Sequence, residues 1–240
     1  MNIKMIILGI SMFVVLYYLY KFLIGNKIVK SKNLRYDTGI TPYSYSSLLI
    51  PNATRYCYYI WIHANVIDAS MANIFKVTDK ILLTNATNAD KTETTLFSLD
   101  IVNNTDLQVS VLTGKIGNYK MNSFVINNNF PIQSWEQVII SFDNMNMDTY
   151  FNGKFIKSIQ FNNTGMPVQT SETTSINFGN STPKPDIDIR LFNRYEYSMD
   201  PQTAWSSYRN DKNISDGSSI NYGLNLNLST NNRLQTIPIF

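Results

Sequence analysis

The sequence predicts an all-β protein, an antiparallel jelly-roll β-sandwich, preceded by a single transmembrane helix. Three observations support this class. A long apolar run lies near the N-terminus, short alternating segments separated by turn residues fill the chain from Ser46 onward, and an Asn152-Gly153 pair joins two such segments. Strands at this spacing without intervening helices are typical of sandwiches and jelly rolls.

Residues 5–24 predict a membrane anchor. The run from Met5 to Ile24 holds twenty residues with one charge, Lys21. At the rise of an α-helix it spans about 30 Å, the thickness of a hydrocarbon core. Aromatic residues cluster beside that lysine, as expected at a membrane interface, namely Tyr17, Tyr18 and Tyr20. The alternative is a cleaved signal peptide, but such peptides have a shorter apolar region and a small-residue cleavage site.

Charge is divided unevenly along the chain. Residues 1–35 carry six cations and no acid, whereas the rest of the chain carries 14 cations and 17 acids. Lys4 precedes the span, whereas four of the cations follow it, so the positive-inside rule places the large domain on the cytosolic side of a single-pass membrane protein. The cations beyond the span could also contact anionic headgroups; they are Lys27, Lys30, Lys32 and Arg35. The acidic body argues against a nucleic-acid partner.

Two further features bear on the compartment. Cys57 is the single cysteine, which excludes an intramolecular disulfide and suits a reducing environment. Seven Asn-X-Ser/Thr sequons would normally indicate secretion, but the high content of Asn, Ser and Thr makes about five of them expected by chance.

The sequence divides into an N-terminal tip (1–4), the span (5–24), a basic juxtamembrane linker (25–45), the sandwich (46–220) and a C-terminal tail (221–240). The linker contains glycine and proline and shows no sustained periodicity. The tail predicts an edge strand from Tyr222 to Leu228, followed by a segment that extends toward a partner.

Within the sandwich region, residues 56–62 are apolar on both alternating faces, which predicts a central strand. Half-buried strands are predicted from three alternating sets, which are Leu107, Val109 and Val111; Val138, Ile140 and Phe142; and Ile187, Ile189 and Leu191. Asn152-Gly153 predicts a type I′ hairpin between residues 148–151 and 154–157. One helix is predicted, with Asp200 as N-cap, Pro201 at its first position and its end near Tyr208.

The order of these features resembles the concanavalin A-like, laminin G-like family. Residues 130–143 (FPIQSWEQVIISFD) lead to the hairpin MDTYFNGK at 147–154, and INFG at 176–179 resembles a later strand of that family. The likeness covers roughly residues 46–212. The positions that carry the motif and would have structural roles are Trp135, Asp143, Tyr150, Asn152, Gly153 and Gly179.

The segment FPIQSW, which leads into the strand predicted at residues 138–142, is similar to the corresponding segment in versions of this domain encoded by large icosahedral double-stranded DNA viruses. That resemblance implies a non-enzymatic virion protein, a minor capsid protein that tethers an internal membrane to the capsid. A lectin-like carbohydrate-binding module on a membrane anchor is the alternative, with glycans as partners. A glycoside hydrolase comes third, because the family's Glu-X-Asp-X-X-Glu strand is missing here.

Five side chains carry groups suited to chemistry or binding, and none predicts a catalytic or cofactor-binding site. Asp186 and Asp188 share one face of a strand, about 6–7 Å apart at Cα, and form a weak candidate calcium site. The alternative is a solvated face whose charge is balanced by Arg190. His63 fits a hydrogen-bonded strand-end histidine better than a general base, and Cys57 fits a buried apolar residue better than a reactive thiol. Trp135 either stacks on a sugar ring or anchors the start of its strand.

Overall fold

The computed structural model describes residues 11–17, 29–33, 42–48, 50–67, 70–84, 90–179, 184–215, 225–230 and 233–238. Its strands are β1 (Val29–Asn33), β2 (Tyr43–Ser44), β3 (Arg55–Val66), β4 (Met71–Leu82), β5 (Lys91–Val102), β6 (Asp106–Lys115), β7 (Asn118–Asn127), β8 (Trp135–Asp143), β9 (Asn146–Phe151), β10 (Lys154–Gln160), β11 (Ser175–Phe178), β12 (Asp186–Tyr195), β13 (Asn225–Thr230) and β14 (Arg233–Pro238). Two helices are described, α1 (residues 11–17) and α2 (Pro201–Ser215), together with a 3-10 turn at Tyr45–Ser47.

Twelve strands form two antiparallel six-stranded sheets. Sheet A has the order β1-β12-β3-β8-β9-β10, and sheet B has the order β2-β11-β4-β5-β6-β7. The non-sequential neighbours show that the chain crosses repeatedly between the sheets, as in a jelly roll. The predicted all-β sandwich is therefore confirmed for the described part of the chain.

The core between the sheets is built from alternating residues, as the sequence predicts. Leu107 and Val109 of β6 are fully buried there, and so are Val138 and Ile140 of β8. Strand β3 is buried on both faces. Its Tyr58 and Ile60 face the interior of the sandwich, whereas Cys57, Tyr59 and Trp61 lie in a second cluster beneath α2.

Helix α2 changes the prediction for β8. Gln137 and Ser141 alternate with the apolar residues of the predicted half-buried strand, which would leave them facing solvent, but both are buried because α2 and the segment before it cover this face. Gln137 Nε2 donates a hydrogen bond to the hydroxyl of Tyr59 at 2.9 Å, and the amide of Met199 donates to Ser141 Oγ at 2.8 Å. The polar side chains of β8 are thus used to hold the covering segment.

The two local capping and turn signals are confirmed. Asp200 Oδ1 accepts hydrogen bonds from the amides of Gln202 and Thr203, so it is the N-cap of α2. The helix continues to Ser215, beyond the predicted end near Tyr208. Asn152 and Gly153 have φ values of 51° and 72°, the left-handed pair that a type I′ turn requires.

The prediction that Leu191 faces the same way as Ile187 and Ile189 is wrong. Ile187 and Ile189 lie in the core between the sheets, but Leu191 lies in the cluster beneath α2. The pairing of β12 with β3 shifts register between Arg190 and Asn193, and Leu191 adopts a φ of 53° at this bulge. One extra residue in the strand reverses the alternation beyond it.

Part of the predicted linker belongs to the sandwich. Residues 29–33 form β1, which pairs with β12 through Val29↔Phe192 and Asn33↔Asp188, and Tyr43 and Ser44 form β2 in sheet B. Lys30 and Lys32 therefore lie on a strand; Lys27 and Arg35 lie outside the described residues.

The predicted span is described only at residues 11–17, where the side chains are exposed and include Tyr17. The helices of the described chain include none with the length and apolar character needed to cross a bilayer. Met5, Tyr18, Tyr20, Lys21 and Ile24 lie outside the described residues, so the anchor stays a prediction.

The C-terminal tail differs from its prediction. Residues 225–230 do form a strand, but β13 pairs with β14 in a separate two-stranded sheet and not with the edge of the sandwich. Asn-Asn separates the two strands in the sequence, a composition common in tight turns.

Candidate functional site

An open cleft of about 400 Å³ lies at one end of sheet A, where β3 ends and β8 begins. The pairing of β3 with β8 sets His63 directly opposite Trp135 and so places both at this end. Helix α2 supplies the facing wall. The side chains that line the cleft are His63, Gln133, Ser134, Trp135, Glu136, Asn152, Tyr208 and Lys212.

Trp135 forms an aromatic wall of the cleft and is half-buried. The guanidinium carbon of Arg190, on β12, lies 4.2 Å from the centre of its ring, within cation–π distance. The His63 ring packs against it with 5.2 Å between centroids and a tilt of 43°. Trp135 therefore anchors the start of β8, which is the first of its two predicted roles. It also lines the cleft, where the second role, stacking on a sugar ring, would require it to be.

His63 lies between Trp135 and an acidic pair. Its Nδ1 is 4.0 Å from Oδ2 of Asp188 and has no hydrogen-bond partner. Nδ1 of His63 thus lacks the hydrogen bond to a neighbour that is expected of a strand-end histidine.

Asp186 and Asp188 lie together, as predicted. Asn65 Nδ2 donates a hydrogen bond to one carboxylate oxygen of each, both at 3.1 Å. Across the described residues, no three His, Cys, Asp or Glu side chains converge on a point where a metal ion could sit. The arrangement is a carboxylate pair bridged by an amide.

The floor of the cleft is a closed network around Glu136, which is only 6% exposed. Ser134 Oγ donates to Oε1 of Glu136 at 2.7 Å, and Asn152 Nδ2 donates a short hydrogen bond to Oε2. Asn152 Oδ1 in turn accepts the backbone N–H of Gln137 at 2.9 Å. Glu136 and Asn152 therefore fix the β9–β10 turn against β8 and keep little capacity for a ligand.

Helix α2 is held against the sheet by aromatic stacking and hydrogen bonds. Tyr208 stacks on Trp61 with 5.7 Å between ring centroids and 12° between planes, and Lys212 Nζ lies 5.6 Å from the Tyr208 ring. The hydroxyl of Tyr59 donates to Asp211 Oδ2 at 2.7 Å and accepts from Trp61 Nε1 at 2.9 Å. These contacts place Tyr208 and Lys212 at the cleft.

The rim of the cleft carries backbone strain. Gln133 is exposed and has a φ of 61°, in the left-handed region that side chains other than Gly, Asn and Asp rarely adopt. Its N–H donates to the carbonyl of Ala64 at 2.8 Å, which holds the strained residue beside the end of β3. Strained residues concentrate at functional sites.

The remaining motif residues lie away from the cleft and act structurally. Asp143 accepts two hydrogen bonds from the Arg55 guanidinium, and Tyr150 donates from its hydroxyl to the carbonyl of Met199 at 3.0 Å. Gly179 has a φ of 61° and donates its N–H to Ile74. Cys57 is buried, and burial raises the pKa of its thiol to about 12, so it stays protonated at neutral pH.

Comparison with known proteins shows similarity only at the level of structure. Neither a protein-family profile nor a curated protein sequence matches the chain. A solved structure of the receptor binding domain of botulinum neurotoxin mosaic serotype C/D aligns with 67% of this chain and 37% of its own at a TM-score of 0.50 and 14% identity.

Two related solved structures align less well. The botulinum neurotoxin serotype G binding domain aligns with 78% of this chain and 39% of its own, at 12% identity and a TM-score of 0.48. The serotype D ligand binding domain in complex with N-acetylneuraminic acid aligns with 65% of this chain and 36% of its own, at 15% identity and a TM-score of 0.48. This chain thus spans well under half of each of these structures. The likeness to the mosaic serotype C/D domain supports a β-sandwich fold and assigns the chain to no family.

Proposed function

We propose that this chain is a non-enzymatic, lectin-like carbohydrate-binding module whose ligand enters the cleft beside Trp135. The observation that carries the proposal is the cleft itself, an open space of about 400 Å³ in which a half-exposed indole faces hydrogen-bonding side chains. Its volume falls in the range of small-molecule sites.

The lining suits a polyhydroxylated ligand. The part of the Trp135 indole that lines the cleft is apolar and can pack against the C–H groups of a sugar ring, while Arg190 and His63 contact the indole and hold it in place. Gln133 and Lys212 are exposed at the rim and can donate hydrogen bonds to hydroxyl oxygens. The site therefore combines one stacking surface with a few directional polar groups.

The same lining argues for binding and against hydrolysis. Glycoside hydrolysis needs two carboxylates about 5–9.5 Å apart across the scissile bond. Glu136 is the one carboxylate among the cleft's lining residues, and both of its oxygens accept hydrogen bonds from the protein. A sugar bound in this cleft would therefore meet no pair of carboxylates among the described residues that line it.

The membrane anchor and the virion role extend this proposal. Residues 25–28 separate the predicted span from β1, and four residues reach at most about 14 Å when extended. A span over 5–24 would therefore hold the sandwich close to the bilayer, in position to bridge a membrane to a capsid protein. Deleting residues 1–28, which spares β1, should abolish membrane association while the sandwich keeps its capsid association; persistence of membrane association would contradict this bridging role.

A glycan array probed with the full chain tests the proposal. We expect binding that Trp135→Ala abolishes and that Lys212→Ala weakens. Trp205→Ala is the matched control, because Trp205 is exposed but does not line the cleft. Absence of any bound glycan, or equal binding by wild type and Trp135→Ala, would overturn the proposal.

A further inference from the structure

Four exposed apolar side chains belong to segments that meet at the end of sheet B where β4 and β6 finish. We call them the apolar tip; they are Leu83, Ile116, Met121 and Met166, each between 39% and 43% exposed. Backbone hydrogen bonds join the segments that carry them. Gly117 donates to the carbonyl of Leu83 at 3.1 Å, and Gly114 donates to the carbonyl of Met166 at 3.0 Å.

The charges around the apolar tip are mainly positive. Lys115 and Lys120 adjoin Ile116 and Met121 in sequence, and Lys91 pairs with Leu82, next to Leu83. All three lysines are exposed, and so is Lys80, while Asp90 and Glu93 are the exposed acidic neighbours beside them. The tip therefore combines exposed apolar area with a cationic border.

The cleft end of the sandwich has a different character. It also exposes apolar side chains, among them Val66 and Ile132, but its charges are mixed, since Asp106, Asp186 and Asp188 lie there with Arg190 and Lys212. An anionic surface would therefore attract the tip more strongly than the cleft end.

Strand β1 begins at the same end as the apolar tip. Val29 pairs with Phe192, while Asn33 pairs with Asp188 beside the cleft. Met166 lines a small pocket with Thr54 and Asn144, which lie at the end of sheet A toward which β12 runs after Phe192. The chain that precedes Val29, with the predicted span, thus enters the sandwich from the side of the tip.

We propose that the apolar tip inserts into the headgroup boundary of an anionic bilayer, so that the cleft opens on the far side of the domain. Aliphatic side chains with flanking lysines suit that boundary, where apolar groups sit about 5–10 Å deep and lysines contact anionic headgroups. Exposed apolar patches of this kind mark interaction surfaces. The inference concerns a surface separate from the cleft and does not depend on a glycan.

The test places a fluorophore at each end of the full-length chain in vesicles. Ile116→Cys and Ile132→Cys form a matched pair, since both isoleucines are exposed and lie at opposite ends, while the native Cys57 is buried and unreactive. The vesicles contain phosphatidylcholine, with or without phosphatidylserine, and lipids with a quencher high on the acyl chain.

We expect strong quenching at position 116 and little at position 132 in vesicles with phosphatidylserine. Lys115→Gln with Lys120→Gln should weaken the association of the tip by about tenfold or more. Equal quenching at the two positions, no quenching at 116 while the chain floats with the vesicles, or quenching at 116 that is indifferent to phosphatidylserine would overturn the proposal.

Discussion

The hydroxyl group of Tyr59 donates a hydrogen bond to Oδ2 of Asp211 at 2.7 Å and thereby joins the centre of sheet A to the helix that covers it. The same oxygen accepts hydrogen bonds from two buried donors, Trp61 Nε1 and Gln137 Nε2, both at 2.9 Å. One phenolic oxygen thus serves three partners beneath α2 and holds the wall of the cleft in place.

Tyr59→Phe should lower the free energy of unfolding by about 2–4 kcal/mol, because two buried N–H groups lose their acceptor. Urea unfolding followed by circular dichroism measures the change. Tyr197→Phe, at a half-exposed tyrosine, is the control and should change stability by much less. Equal stability of Tyr59→Phe and the wild type would show that the network does not hold α2.

Gly153→Ala should destabilise the protein mainly by disturbing the docking of α2 and to a smaller extent by straining the turn at Asn152-Gly153. A Cβ at this position would lie 2.8 Å from Tyr208 Cβ and 3.0 Å from Trp205 Cε3, and the residue has a φ of +72°. We expect a loss of about 2–4 kcal/mol from left-handed strain and overpacking together.

Gly117→Ala separates the effect of left-handed strain from the effect of overpacking beneath α2. Gly117 is exposed and has a similar φ of 82°, so its substitution should cost only the strain, about 1 kcal/mol. Thermal unfolding of both variants measures the difference, and equal losses would mean that Gly153 has no special role beneath the helix.

Asp79 should make stability depend on pH in acid. Burial alone would raise the pKa of its carboxyl, but hydrogen bonds donated by the hydroxyls of Ser171, Thr173 and Thr174 and by the Lys80 amide lower it below the ordinary value. Because the folded pKa lies below the unfolded one, the stabilisation is present above the unfolded pKa and is lost as pH falls through the folded pKa.

We therefore expect Asp79→Asn to reduce the free energy of unfolding by about 2–3 kcal/mol at neutral pH, and the gap from wild type to narrow below about pH 4. Urea unfolding at a series of pH values measures it, with Asp90→Asn at an exposed carboxylate as the control. A gap that stays constant down to pH 2.5 would contradict the assigned role of the carboxylate.

The predicted orientation is tested by the sequons. If the sandwich faces the cytosol, the exposed acceptors Asn52, Asn103 and Asn162 never meet the glycosylation machinery. Expression in a eukaryotic cell should give a membrane-bound chain whose mass is unchanged by endoglycosidase. A glycosidase-sensitive mass would reverse the orientation that Lys27, Lys30, Lys32 and Arg35 predict.

The parts of the fold that sequence could predict are those set by local signals. Asn152-Gly153 specifies its own turn, and Asp200 followed by Pro201 specifies the start of a helix. The bulge at Leu191 has no such signal, because a leucine with positive φ is imposed by the tertiary contacts around it. The sequence gives no local signal for the burial of Gln137 either, because the helix that covers it follows some 70 positions later in the chain.

The cleft is the feature that the sequence predicts least well. Trp135 and His63 both stand out in the sequence, but no local signal indicates that β3 and β8 set them opposite each other, or that Arg190 lies on the indole. Lys212 and Tyr208 join them only through the docking of α2. The alternation of apolar and polar residues predicts the strands of the sandwich, whereas the cleft depends on the pairing register of strands that are distant in the sequence.

The most direct test of the central claim is a titration of the three indole N–H signals by NMR, using a glycan that the array identifies. Trp61 is buried, Trp205 is exposed outside the cleft, and Trp135 lines it. We expect the Trp135 signal to shift and saturate with the glycan while the Trp205 signal stays in place. A Trp135 signal that does not move at saturating glycan, or a shift confined to Trp205, would contradict the account.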